Sequence, residues 1–328
     1  METRALGQTG LRVSRLGLGT MTWGAATDEY DAADQLRIFL DAGGTLVDTA
    51  DVYADGASES ILGRLIAEHG LRDRLVIATK AVVQRSHPRR FDASRAHLLT
   101  ALDRSLARLG VDHIDLWQLH AWDPLTPIEE TLAAVDDAVR SGRVRYAGVS
   151  NYSGWQLARA VTLQQAARGS APIVSAQMEY SLLQRGVERE VLPAARELGV
   201  GLLPWSPLGR GVLTGKYRNG IPSGSRATTE EYGTFAEEYL TAHHAHIVDA
   251  VAAAANGLNS TPLEVALAWV RDRPGVVAPI IGARTAAQLA GALTSEELVL
   301  PGEIVAALDE ISLPSRGYPE WGWNQRGV

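Results

Sequence analysis

Eight short apolar runs, rich in β-branched residues and separated by amphipathic stretches, constrain this chain more than any other feature. They fall at residues 16–20, 45–49, 75–80, 114–120, 144–150, 173–177, 201–205 and 277–282. Runs that are continuously apolar, rather than alternating, suit parallel strands covered on both faces. Helix starts are readable between them. Thr126-Pro127-Ile128-Glu129 and Thr261-Pro262-Leu263-Glu264 each offer an N-cap, a first-turn proline and an acidic third residue, and Ser153 with Gln156 offers another capping box. Eight strand–helix units predict an α/β fold, a (β/α)8 TIM barrel whose active site lies at the C-terminal rim. A doubly wound sheet is the alternative that periodicity leaves open. Residues 3–16 alternate and turn at Gln8-Thr9-Gly10, predicting a small N-terminal β-hairpin. No linker or composition break divides the chain, so one domain over 1–328 is expected. The longest gap, the Gly- and Ser-rich stretch 207–233 after the seventh strand, predicts a functional or mobile loop. The aromatic tail, with Trp321 and Trp323, is expected to lie over the barrel as a loop.

Composition excludes several functions. A formal net charge of -7 argues against a nucleic-acid partner. With no cysteine there are no disulfides, thiolate metal sites or Cys nucleophiles. The N-terminus lacks the apolar core of a signal peptide. No apolar run approaches the roughly 18–20 residues that span a bilayer. A cytoplasmic protein without membrane contact is the expectation. His243, His244 and His246 resemble a metal motif, but adjacent helical positions do not share a face, so no metal site is expected.

Four residues stand at or just beyond strand ends: Asp48 and Tyr53 in "TLVDTADVY", Lys80 closing "LVIATK", and His120 closing "IDLWQLH". In a barrel such ends converge. Taken singly, each has an ordinary explanation: a salt-bridged lysine, a capping aspartate, a structural histidine, a loop tyrosine. Together they suit carbonyl reduction, which needs hydride on carbon and a proton on oxygen. Side chains supply no hydride, so a cofactor must. Tyr53 would supply the proton, its pKa lowered by the Lys80 ammonium. Asp48 would hold Lys80, and His120 would orient the substrate oxygen. A Schiff base on Lys80 is the competing chemistry.

These residues, in this order, resemble the aldo-keto reductases. The resemblance runs from "LGLGTMTWG" through "GVSNY" and "PWSPLGRGVLTGKY" to "PIIGARTAAQL". It implies a barrel that binds NADP(H) across its C-terminal rim without a Rossmann domain, and it makes Tyr53 the general acid. Thr20 and Met21 would lie beside the nicotinamide ribose. Ser150, Asn151 and Gln177 would hold the carboxamide, and Trp205 would stack on the ring. Ser206, Leu208, Gly209 and Lys216 would close over the pyrophosphate. Gly282 and Arg284 would flank the 2′-phosphate, with Gln288 at the adenine and Arg226 also reaching the cofactor. Gln288 equally suits a capping box begun by Thr285. Relatives often continue this helix with an acidic residue and Asn, where this chain has Gly291 and Ala292. The substrate, a small carbonyl compound, would meet Tyr53 and His120 within a wall of Trp23, Trp122 and tail aromatics, although these could equally be core or surface residues. The leading expectation is an NADPH-dependent reductase of aldehydes or ketones. The alternative is a catalytically slow NADP-sensing regulator resembling potassium-channel β subunits. A barrel lyase or hydrolase finds no paired-carboxylate or metal motif.

Overall fold

The computed structural model describes residues 1–85, 87–218, 220–222, 236–315 and 317. The chain opens with an antiparallel hairpin, β1 (Thr3–Ala5) and β2 (Arg12–Ser14). Its turn is held by the Thr9 hydroxyl, which donates to Leu6 O at 2.8 Å and accepts the Leu11 N–H at 3.1 Å.

Eight parallel strands follow: β3 (Gly17–Gly19), β4 (Leu46–Asp48), β5 (Val76–Ala81), β6 (Ile114–Leu119), β7 (Val144–Ser150), β8 (Ile173–Glu179), β9 (Gly201–Trp205) and β10 (Ile280–Gly282). They are hydrogen-bonded in the order β10-β3-β4-β5-β6-β7-β8-β9. The ring closes below β10, where Leu202 N–H donates to Gly275 O at 3.0 Å and Val277 N–H to Leu202 O at 2.8 Å. The predicted strand 277–282 is divided: Val277 bonds to β9, and only Ile280–Gly282 run as a strand beside β3. The arrangement is a (β/α)8 TIM barrel, not a doubly wound sheet.

Local chemistry accounts for the surrounding helices. Glu29–Asp41 starts at Asp28, whose carboxylate accepts the Asp31 N–H at 2.9 Å. Ala57–His69 and Arg95–Leu109 both end on left-handed glycines, Gly70 and Gly110. The Thr261–Glu264 box is complete ahead of Pro262–Arg271. Thr126, however, is not an N-cap. Its hydroxyl bonds the buried Asp123 carboxylate at 2.6 Å, and Pro127 leads into Ile128–Arg140 with no side-chain cap. The Arg89 guanidinium donates to the same hydroxyl at 2.5 Å, in the place a helix N–H would take. At Ser153, Gln156 Oε1 accepts the backbone N–H at 2.8 Å ahead of Gly154–Ala166.

Strand side chains alternate in direction, and the inward positions form two layers. The lower layer is apolar: Leu46, Ala78, Leu116, Leu203 and Ile280 form one buried cluster, plugged by Leu6 and Val13 of the hairpin. Two residues further along the same faces stand Asp48, Lys80, Gln118, Trp205 and Gly282. The second, larger core lies outside the ring, between strands and helices. Within the predicted long loop, residues up to 218 form tight turns around Val212–Thr214, between Gly211 (φ +90°) and Gly215 (φ +77°). Most of 219–235, including Arg226, and the tail with Trp321 and Trp323 lie outside the described residues. Among the described residues, no helix is long and apolar enough to cross a membrane.

Candidate active site

Asp48, Tyr53, Lys80 and His120 meet at the C-terminal mouth of the barrel. Lys80 is fully buried and donates to Asp48 Oδ1 at 2.5 Å and to Thr49 O at 2.9 Å. Asp48 Oδ2 accepts Gln177 Nε2 at 2.7 Å and Gln118 Nε2 at 3.3 Å. Ser175 Oγ donates to Gln118 Oε1 at 3.3 Å, so β4, β5, β6 and β8 share one polar layer. Gly148 makes room for that layer, since a Cβ there would lie 2.1 Å from Ser175 Oγ. Tyr53 stands on a short turn whose next two residues, Ala54 (φ +47°) and Asp55 (φ +53°), are left-handed. Its ring lies 5.2 Å from Lys80 Nζ and packs edge-on against His120, with centroids 5.9 Å apart.

The electrostatics distribute the protons. Burial weakens the Lys80 ammonium, but Asp48 and Tyr53 outweigh it, and the lysine pKa rises. A lysine so paired keeps its proton, which disfavours a Schiff base. Burial pushes the Tyr53 phenol upward against the opposing Lys80 charge. The sequence-level expectation of a lowered phenol pKa is therefore not met in this state: desolvation exceeds the lysine's effect. Tyr53 carries its proton at neutral pH. His120 is depressed to about 3 by burial, then by the charges of Lys80 and Arg85, so its ring is neutral. Its Nδ1 is buried and has no hydrogen-bond partner among the described residues. Beside this group, burial and the neighbouring Glu59 raise the Asp51 carboxyl to about 7, and Asp51 Oδ1 likewise lacks a hydrogen-bond partner among the described residues.

Above the four residues opens a cavity of about 810 Å³, within the usual range of small-molecule sites. Met21, Asp48, Tyr53, His120, Ser150, Asn151, Gln177, Trp205, Ser206, Leu208, Lys216, Gly282, Arg284 and Gln288 all border it. Several are already engaged. Asn151 accepts the Trp205 indole N–H at 3.0 Å and donates to His120 O at 3.0 Å, while Ser150 Oγ donates to Gln177 O at 2.9 Å. Gln288 Oε1 accepts the Arg284 N–H at 3.0 Å, and its own N–H donates to Thr285 Oγ1. It therefore both caps its helix and faces the cavity.

Four expected contacts lie off the wall. Trp23 is completely buried, with its indole N–H on Gln35 Oε1 at 3.0 Å, so it is a core residue and not a substrate wall. Trp122 packs edge-on against Tyr152 and Trp155, at 5.2 and 5.3 Å, away from the cavity. Thr20 turns into a buried hydroxyl cluster with Ser58 Oγ, 2.7 Å away. Gly209 packs against Leu183 instead. In their place the cavity gains Val83, Arg85, Arg90 and Phe91 from the segment beyond β5, together with Arg210 and Leu263. That segment has no periodicity to betray it, but its density of arginines directly after Lys80 was a usable signal. Among the described residues no cluster of His, Asp or Glu could hold a metal, and His243, His244 and His246 all lie on Ala242–Gly257.

The fold and cavity together define a (β/α)8-barrel protein with its site at the C-terminal rim. The family model "Aldo/keto reductase family" matches residues 15–313. An uncharacterized oxidoreductase, YrpG, of Bacillus subtilis (strain 168) is 39% identical over 321 residues, covering 95% of this chain and 96% of its own. Aldo-keto reductase YhdN of the same organism is 36% identical, covering 88% and 87%. A probable voltage-gated potassium channel subunit beta of Oryza sativa subsp. japonica is 35% identical, covering 96% and 98%. The chain belongs to the aldo/keto reductase family, whose members are oxidoreductases that generally use nicotinamide cofactors.

Proposed function

We propose that this protein reduces aldehydes or ketones to alcohols with NADPH, and that Tyr53 is the general acid. The observation that carries the reading is a protonated tyrosine beside a buried Lys80–Asp48 pair of 2.5 Å, at the base of an 810 Å³ cavity. The donor set fits a nicotinamide dinucleotide. Trp205 offers an aromatic plate and Gln177 an amide, while Lys216 and Arg284 offer cations. The one carboxylate among the described lining, Asp48, is neutralised by Lys80. When bound, the nicotinamide supplies the hydride. Arg284, whose guanidinium fork suits a phosphate, favours NADPH over NADH.

The side chains manage the proton. The substrate oxygen sits between Tyr53 and the neutral His120. As negative charge develops there, the Tyr53 hydroxyl donates its proton. Lys80 stabilises the resulting tyrosinate, and Asp48 with Gln118 and Gln177 keeps the ammonium in place. General acid catalysis of this kind contributes about 10²–10⁴-fold. In Tyr53→Phe, NADPH consumption with a panel of aldehydes and ketones should fall by about that factor, while NADPH binding survives. Wild-type turnover in the variant would remove Tyr53 from the role.

The channel-subunit name printed for the rice relative supports a second reading, a regulator that senses NADP(H) and turns over slowly. Tight NADPH binding with no turnover on any carbonyl would favour it. The site also serves alcohol oxidation.

A further inference from the structure

The cavity carries cations in two places, and a cofactor accounts for one of them. Lys216 and Arg284 follow β9 and β10. Arg85 and Arg90 follow β5, which lies three strands from β10 and four from β9 around the ring. They stand across the rim, on the side of Tyr53 and His120. The charge of Arg85 acts on both of those rings.

Their placement is built into the backbone. Val82, a β-branched residue at φ +114°, turns the chain out of β5. Val83 then bridges Phe91, Gln84 N–H donates to Arg90 O at 2.8 Å, and Asp92 N–H donates to Val82 O at 2.9 Å. Arg89 anchors this antiparallel return: its guanidinium reaches Asp123 Oδ2 at 2.7 Å, Thr126 Oγ1 at 2.5 Å and Phe91 O at 3.2 Å. With Arg89 committed to Asp123 and Thr126 in the loop after β6, Arg85 and Arg90 are exposed at the cavity. Arg90 leans on the Phe91 ring, 5.5 Å from its centroid, and has no ion-pair partner among the described residues. In a chain of net charge -7, both arginines line the cavity that holds the proton donor Tyr53. Guanidinium forks match carboxylate and phosphate oxygens.

We propose that Arg85 and Arg90 form an anion-recognition subsite beside Tyr53 and His120, so that the preferred substrates are small carbonyl compounds bearing a carboxylate or phosphate. The anionic end engages the guanidiniums and the carbonyl end reaches Tyr53. Phe91, Val52 and Val83 supply an apolar wall between the two ends. This subsite rests on the reductase reading only for the carbonyl end.

The experiment compares 4-oxobutanoate with pentanal, and glyceraldehyde 3-phosphate with glyceraldehyde, in the parent, Arg85→Met, Arg90→Met, the double variant and Arg90→Lys. In the parent, kcat/KM should favour the charged member of at least one pair, and the preferred pair identifies carboxylate or phosphate. The charged-to-neutral ratio should fall roughly tenfold to a hundredfold in the double variant. The loss should appear in KM, and Arg90→Lys should restore part of it. Neutral carbonyls turned over with no charge preference, or a ratio unmoved by the double variant, overturns the subsite and leaves the reductase intact. If no carbonyl is reduced, the reductase reading fails and the subsite is judged by calorimetric titration with succinate and inorganic phosphate. Binding of either anion that weakens at least tenfold in the double variant supports it. Absent or equal binding overturns it.

Discussion

The two inward layers of the barrel use the same strands, two residues apart, for opposite purposes. Below, Leu46, Ala78 and Leu116 meet Leu6 of the hairpin in an apolar plug. Above, Asp48, Lys80 and Gln118 form a hydrogen-bonded layer beneath an open cavity. Apolar packing is tolerant of chemistry and sensitive to volume. A buried ionic layer reverses that: each member must keep its partner, because an orphaned charge has nowhere to go. The lower layer can therefore be read as stability, and the upper as preorganisation held at some cost to it.

The contrast can be broken most forcefully at Asp48. Asp48→Asn leaves Lys80 buried without its counter-ion, and should destabilise the fold by about 3–5 kcal/mol. Chemical denaturation measures this, and an unchanged midpoint would show that the pair is not structurally coupled. Leu6→Ala removes the plug from below and should cost about 2–5 kcal/mol. Here turnover per folded molecule should stay near the parent's, since Leu6 lies in the lower layer; a proportional loss of kcat would erase the distinction between layers.

Gly148→Ala tests how tightly the upper layer is packed. The new Cβ would meet Ser175 Oγ at 2.1 Å, and overpacking of this kind costs about 1–3 kcal/mol. Because Ser175 bonds Gln118, and Gln118 bonds Asp48, kcat should fall as well. The smallest effect is expected at Asp51. Its carboxyl titrates at about 7 in the folded protein, above the ordinary 3.8, so its protonated form belongs to the native state. That contribution is complete below the unfolded value and disappears as pH rises through 7. In Asp51→Asn the fall in melting temperature between pH 5.5 and 8.5 should be shallower than in the parent. Parallel curves would mean that Asp51 does not titrate in this window.

How far the site was legible follows from where each residue sits. Asp48 and Lys80 close apolar strands, and a strand end in a barrel has one destination, so they could be read in order along the chain. Trp23 and Trp122 could not. An aromatic in a loop packs wherever its ring is best covered, and both found protein neighbours instead of the cavity. Thr126 was misread for a related reason: the Arg89 guanidinium, 2.5 Å away, donates to the hydroxyl where a helix N–H would have donated. Arg85 and Arg90 were missed because their placement depends on Arg89 reaching Asp123 and Thr126 across the fold.

By itself, then, the sequence determined the eight-fold repeat, the rim as the place of the candidate site, and the four residues delivered there, because period and order along a strand are local properties. The tertiary structure decided the rest. It set the proton state of Tyr53 against the lysine's pull, because burial is a property of the whole assembly. It withdrew Trp23 into the core, and it brought two arginines to the cavity through contacts that sequence spacing does not encode.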